Sequence, residues 1–348
     1  MIKVLIIQRR IRDYRIPVFN ELAKKVDLTV IHTENRQLDN AQFNVLNIEM
    51  KRALFKWYRI SLTRLANNYD VVICMMDYSF PQFLFLNVFP RKYKLIYWGI
   101  GVDAGYDSRF DERQSVARVI FRMLKKADAG LFYTDYPVKK YIDMGLSPEK
   151  LFVANNTVRV EYAGEDEKNS FVFLGSLYPQ KRADILIEQY HNAYMKNKNI
   201  PRLIIIGEGS ARESIESMVN NLDIDKMVSF TGAIFDDKKL GEYFRNALLC
   251  VSPDQAGLSV LKSMGLGVPY VTCKNAITGG EIFNIHNGID GILFDHFEDL
   301  EGIFLDAADN QEKYIKMGQA ARSYYEKNRT VEQMVRGFVE AIEYTIKQ

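Results

Sequence analysis

The sequence predicts an α/β fold in two domains, on three observations. Near-continuous apolar segments alternate with amphipathic ones: IKVLIIQ, VFNELAKK, DLTVIHT, DVVICMM, KLIYW, a long amphipathic stretch and AGLFY. Strands apolar on both faces and separated by helices belong to parallel sheets covered on both sides. At 348 residues the chain is also long for a single core. Finally, VRVEYAGEDEKNS, from Val158 to Ser170, loses apolar periodicity and turns acidic before a second alternation starts at Phe171. The expected domains are residues 1–160 and 161–348.

Composition narrows the class. The hydrophobic share of 47% and charged share of 26% are those of a soluble globular protein. No apolar run approaches the roughly 20 residues that span a bilayer; the densest, Phe80 to Phe89, reads as a buried helix. MIKVLIIQRR is a strand followed by charge, without the apolar core and cleavage site of a secretory signal, so a cytoplasmic location is expected. Cys74, Cys250 and Cys273 lie in apolar segments without metal-ligand spacing and read as small core residues, and no metal is expected. Residues 1–150 hold 25 Lys and Arg against 16 Asp and Glu, so the first half suits an anionic partner such as a membrane surface, a lipid phosphate or a nucleic acid.

Taken in order, the first strand runs into QRRIRDYRIPVFNEL, so Arg9, Arg10, Arg12 and Arg15 follow a strand end, where parallel sheets take ligands. An acceptor-phosphate site and a solvated basic loop both fit them. Lys51 to Asn67, KRALFKWYRISLTRLAN, interleaves charge with Leu54, Phe55, Trp57, Tyr58 and Leu62. It predicts a basic amphipathic helix suited to anionic lipid, with core packing as the alternative. Between Ser115 and Lys126 an apolar stripe backs a basic face of Arg118, Arg122, Lys125 and Lys126. YWGIGVDAG carries a weak G-x-G pattern without a following ribose-binding acid. Gly99 and Gly101 there suit close backbone approach, and Asp103 is the nearest polar candidate.

In the second half, FVFLGSLYPQKR reads as strand, glycine turn and basic helix start at Lys181 and Arg182, and RLIIIGEGS ends a strand on Gly207 and Gly209. The strand Ala247 to Val251 enters a polar turn of Ser252, Asp254 and Gln255. Gly257 then opens a helix whose Leu258, Leu261 and Met264 recur at helical spacing. Unpaired N–H groups at such a turn suit a diphosphate. An ordinary strand-to-helix turn has the same residues.

VSPDQAGLSVLKSMGLGVP resembles the donor-site signature EGFGLxxLEAMAxGxPV of retaining glycosyltransferases of the GT4 type, also called group 1. Gly257, Leu258, Leu261, Met264, Gly267 and Pro269 match; Asp254 stands at the first acidic position, and Lys262 inverts the charge at the second, which usually holds the nucleotide ribose. FVFLGSLYPQKR is similar to the family's GRL-x-x-x-K-G motif, whose basic residues neutralise the donor diphosphate. Lys181 is retained, Ser176 replaces the arginine, and Arg182 or Lys262 is left to restore the charge. Gly207 and Gly209 resemble the G-x-G turn bordering the nucleotide, Ile234 lies where relatives contact the base, and Glu281 falls in a loosely matching PEII-type segment.

The resemblance implies an α/β GT-B architecture, two Rossmann-like domains facing a central cleft. The acceptor would bind in the first, the nucleotide sugar in the second, and the last helix, about 330–348, would pack back on the first. It implies catalytic roles for Asp254, Lys181 and Asp103, and donor contacts from Ser176, Lys181, Arg182, Gly207, Gly209, Ile234, Asp254, Ala256, Gly257, Leu258, Ser259 and Lys262. The function implied is retaining transfer from a nucleotide sugar to a lipid-linked saccharide acceptor in bacterial surface polysaccharide synthesis. In such enzymes the leaving phosphate takes the acceptor proton, so no protein nucleophile is required. Peripheral membrane contact is expected, with no cofactor and no nucleic-acid partner. A scaffold whose donor site is weakened at Ser176 and Lys262 stays open. So does an epimerase or hydrolase, although the four histidines, His32, His191, His286 and His296, all lie away from GIGVDAG.

Overall fold

A computed structural model describes the chain other than residues 35–37, 39, 53–54 and 106–107. The chain forms two compact units, one from Met1–Ala104, Asp111–Arg159 and Arg329–Gln348, the other from Gly105–Phe110 and Val160–Asn328.

Unit 1 runs β1 (Lys3–Ile7), α1 (Ile16–Ala23), β2 (Asp27–His32), β3 (Asn44–Asn47), β4 (Met50–Arg52), β5 (Lys56–Tyr58), α2 (Leu62–Ala66) and β6 (Val71–Met75). It continues with α3 (Pro81–Val88), β7 (Lys94–Gly99), α4 (Gln114–Lys126), β8 (Ala129–Phe132), α5 (Tyr136–Asp143) and β9 (Leu151–Val153). Seven strands form one parallel sheet in the order β3-β2-β1-β6-β7-β8-β9. Alternation explains why its strands are apolar throughout. Leu5, Ile7, Val72, Cys74, Leu95 and Tyr97 enter the core on one face, while Val4, Ile6, Val71, Ile73, Ile96 and Trp98 enter that on the other.

The second of these cores is closed by the C-terminal helix, Val331–Lys347. Met334, Val335, Phe338, Ala341 and Ile342 recur at helical spacing and are buried, and Phe338 meets Trp98 edge-on with ring centroids 4.9 Å apart. Thr330 caps the helix through Gln333 N–H. Gly337 lets its backbone approach β9 so closely that a Cβ there would sit 2.1 Å from the Val153 carbonyl oxygen.

Two elements differ from the sequence expectation. The basic helix expected over Lys51–Asn67 is an antiparallel hairpin of β4 and β5 followed by the short α2; Leu54 lies outside the described residues. Tyr58 decides this: its ring is buried against Phe80 and Phe83, and its N–H donates to Gln82 Oε1 at 2.6 Å, which holds the segment extended. Ser61 then caps a fresh helix by accepting from Arg64 N–H. The apolar run Phe80–Phe89 does form a helix, but only one side is covered. Phe80, Phe83 and Leu86 are buried while Phe85, Val88 and Phe89 are exposed.

Unit 2 runs β10 (Ser170–Leu174), α6 (Ala183–Lys196), β11 (Arg202–Ile206), α7 (Arg212–Asn221), β12 (Val228–Gly232), α8 (Asp237–Arg245) and β13 (Ala247–Val251). Then come β14 (Gln255–Ala256), α9 (Ser259–Gly265), β15 (Tyr270–Cys273), β16 (Ile277–Thr278), β17 (Gly291–Phe294), α10 (Asp299–Asp309) and α11 (Gln311–Asn328). Its parallel sheet has the order β12-β11-β10-β13-β15-β17. In both sheets the strand order reverses once, between β1 and β6 and between β10 and β13. The crevice outside the carboxyl ends at such a reversal is where open α/β sheets take ligands.

Two helix glycines should respond oppositely to alanine. Gly302, inside α10, has open space at its Cβ position, so Gly302→Ala should stabilise by about 0.5–1 kcal/mol. Gly337→Ala meets the Val153 carbonyl and should destabilise by about 1–3 kcal/mol despite alanine's better propensity. Denaturant midpoints of the two variants check both signs.

Candidate functional site

The strand-order reversal of unit 2 collects the predicted residues after β10 and β13. Beyond β10 the chain turns through Gly175 and exposed Ser176 into a 3-10 turn, Pro179–Lys181, which swings Lys181 back over the sheet end. Gly175 leaves room for it, since a Cβ there would lie 3.0 Å from Lys181 Nζ. The loop after β11 packs onto this turn through its glycines. A Cβ on Gly207 would meet the Gly175 carbonyl oxygen at 1.8 Å, and one on Gly209 the Leu177 carbonyl oxygen at 2.4 Å. Only glycine permits that backbone approach.

Lys181 is 6% exposed, and among the described residues no carboxylate pairs with it. Burial pushes its ammonium down to about 8, with Cys250 and Glu281 acting in the opposite sense. Glu281 is itself buried at the start of a 3-10 turn and accepts from Gly279 N–H at 3.0 Å. The ammonium is therefore desolvated with no carboxylate at ion-pair distance among the described residues, which favours an anionic ligand at this point.

The turn after β13 is pinned by hydrogen bonds. Tyr270 O–H donates to the Gln255 carbonyl at 3.0 Å and its oxygen lies 2.8 Å from Ser259 Oγ, while Ile277 N–H donates to the Asp254 carbonyl at 2.9 Å. Gln255 and Ala256 form β14, paired to β16, so the helix expected to open at Gly257 starts at Ser259 and is seven residues long. Among the described residues the buried Gln255 side-chain oxygen has no hydrogen-bond partner. Ala256 is fully buried, Leu258 and Ser259 are half-buried, and the Cβ position of Gly257 faces open space.

The charges left to replace the Ser176 arginine are already engaged. Arg182, in the left-handed region at φ 52°, grips Asp184 through Nε and Nη2 at 3.0–3.1 Å. Lys262 Nζ lies 2.6 Å from Asp237 Oδ1 at the start of α8, and half-buried Ile234 belongs to the loop just before it. Sequence reasoning missed two partners here. One is Asp237, which gives Lys262 a carboxylate neighbour; a DD pair at a helix start was the available signal. The other is Arg109, whose Nη1 lies 3.0 Å from Asp254 Oδ1 and also donates to the Asn275 carbonyl, with Phe110 edge-on to Phe283 at 5.1 Å. No motif marks RFDE, so nothing in the sequence pointed to it. Asp103 belongs to unit 1, where its carboxylate lies 3.6 Å from Arg113 Nε.

Two Rossmann-like units of this kind make a GT-B fold. Residues 155–324, a stretch that spans this site, match the sequence model of the family described as Glycosyl transferases group 1. The chain is similar in fold to Anabaena HepE in complex with UDP, at 14% identity and a TM-score of 0.75 over 98% of this chain and 99% of that one. It is also similar to a mutant of S. aureus TarM in complex with Fondaparinux, alpha-GlcNAc-glycerol and UDP, at 12% identity and a TM-score of 0.72 over 98% and 100%. Among curated proteins, poly(ribitol-phosphate) alpha-N-acetylglucosaminyltransferase of Staphylococcus aureus (strain COL) is 24% identical over 178 residues, 50% of this chain. The match spans only 36% of that relative's length.

The depressed Lys181 has a measurable signature. Below pH 8 its charge is held in both folded and unfolded states, so the desolvation cost is fully present; between pH 8 and 10.5 the folded state alone loses the proton and the cost fades. Lys181→Met should therefore be more stable than the parent at pH 7, with the gap closing as pH rises to 10. Urea unfolding of both proteins across that range reads the difference, and a gap that is flat or widens with pH contradicts the desolvated ammonium.

Proposed function

We propose that this chain is a glycosyltransferase that takes a sugar from a nucleotide diphosphate donor held by unit 2. The observation that carries the reading is Lys181, a buried ammonium without an ion-pair partner among the described residues, at the sheet reversal and inside the segment that matches the group 1 family. In this reading Lys181 binds the donor diphosphate and stabilises the charge that develops as the bond from the anomeric carbon to the phosphate oxygen breaks. The acceptor oxygen bonds to that carbon and its proton passes to the leaving phosphate. Asp254, held by Arg109, orients a hydroxyl of the transferred sugar. Asp103 is the polar candidate on the acceptor side. No step calls on a metal or cofactor.

Retention of configuration is the finer part of the proposal and follows from the resemblance of Val251–Pro269 to the retaining signature. A lipid-linked saccharide acceptor and a role in surface polysaccharide are proposed on the basic first half. Among the described residues no helix is long and apolar enough to cross a membrane. A peripheral contact at the inner membrane face would use the exposed Phe85, Val88 and Phe89 of the α3 end. Asn87 Nδ2 donates to the Met123 carbonyl at 2.7 Å and so ties that end to α4, whose Arg122, Lys125 and Lys126 are exposed.

A thermal-unfolding screen with UDP, GDP, ADP, dTDP and CMP, in the parent and in Lys181→Ala, tests the donor site. One nucleotide at about 100 times its dissociation constant should add roughly 2.7 kcal/mol, or about 5–10 °C, in the parent alone. If none does, the substitutions at Ser176 and Lys262 mark a lost donor site and the chain is a scaffold.

A further inference from the structure

At the strand-order reversal of unit 1, three buried nitrogen-bearing side chains lack an oxygen acceptor among the described residues. The sequence leaves Arg15 open between a solvated basic loop and an acceptor-phosphate site; it is 3% exposed and folded over the sheet end, which removes the first. Its guanidinium carbon lies 4.9 Å from the Trp98 ring, 4.9 Å from the Tyr133 ring and 5.0 Å from that of Tyr14. Its one acceptor among the described residues is the Met334 thioether sulfur, 3.3 Å from Nη1. Among the described residues no carboxylate pairs with it. Trp98 Nε1 and Gln8 Nε2 are likewise buried without a hydrogen-bond partner. Gln8 continues the face of Val4 and Ile6, and the register Ile7↔Cys74↔Tyr97 sets it level with Trp98 on the same face of the sheet.

We propose that this edge, formed by Gln8, Arg15 and Trp98, binds a phosphate group carried by the acceptor. Ring faces stabilise the guanidinium charge but do not accept its in-plane N–H groups, of which there are five. A thioether is a weak acceptor. A side chain needed only to seat the C-terminal helix would be served better by an apolar residue, because an unneutralised buried cation is costly. A phosphate brings negative charge and several acceptor oxygens, which a single carbonyl does not. Naming the acceptor as its carrier rests on the glycosyltransferase reading; binding of phosphate itself does not.

The chain has two tryptophans, so Trp57→Phe leaves Trp98 as the sole tryptophan reporter beside Arg15. Inorganic phosphate and glycerol 3-phosphate are titrated into this protein carrying Lys181→Met, with sodium chloride at matched ionic strength as the control. That background keeps the donor site out of the signal, and failure of the nucleotide screen leaves this readout intact. The expected result is a saturable change in Trp98 emission with both phosphates and none with chloride. Affinity should fall at least tenfold in Arg15→Gln and several-fold in Gln8→Leu, which removes one donor without touching the aromatic stack and decides the matter if Arg15→Gln does not fold. No saturable change, or affinities untouched in Gln8→Leu and in folded Arg15→Gln, overturns the site. Binding of inorganic phosphate but not of its glycerol ester overturns the acceptor assignment.

Discussion

A buried ammonium that no carboxylate among the described residues pairs with is the constraint on which the candidate site depends. Folding Lys181 under the turn after β10 costs desolvation energy, and the local sequence is arranged to hold it there nonetheless. Gly175 makes room, and Gly207 and Gly209 let the neighbouring loop seal the turn at backbone contact distance. An apolar side chain would fill the same space more cheaply, so the charge itself is what the position retains. The engaged states of Arg182 and Lys262 sharpen this: each already faces a carboxylate, whereas Lys181 has no ion-pair partner among the described residues.

The two units repeat one physical arrangement with different chemistry. In each, a parallel sheet reverses its strand order once, and the turn after the strand on one side of the reversal carries a cation back over the sheet end. In unit 2 that cation is a lysine, able to release its proton near neutral pH. In unit 1 it is an arginine among aromatic rings, permanently charged. A titrating group suits a site where charge develops during a reaction, and a permanently charged planar one suits fixed recognition of an anion.

Much of this was legible in the sequence because it rests on periodicity. Apolar strands separated by amphipathic helices gave the α/β class, and the β10 and β13 turns could be located from Gly175, Lys181, Asp254 and Gly257 alone. What was not legible depended on contacts distant in sequence. The stretch Lys51–Asn67 has a helix-like charge pattern, but Tyr58 is claimed by Phe80, Phe83 and Gln82, and that tertiary contact overrides propensity. Between a solvated loop and an acceptor-phosphate site the sequence could not choose for Arg15, because Trp98 and Tyr133, which flank its guanidinium, lie more than 80 positions away. Arg109 and Asp237 carry no motif, because an ion pair leaves no periodic trace in either partner's neighbourhood.

The central claim is that Lys181 awaits the diphosphate of a nucleotide, and protonation makes it directly measurable. An ammonium held down to about 8 by burial should regain its proton when an anion arrives beside it. Calorimetric titration of UDP at pH 8.5, in two buffers of very different ionisation enthalpy, reads that uptake. The account predicts that the observed enthalpies differ between buffers by an amount corresponding to a substantial fraction of a proton taken up per UDP bound, and that the difference disappears in Lys181→Met. UDP binding with the same enthalpy in both buffers, or with an uptake that survives Lys181→Met, would contradict it.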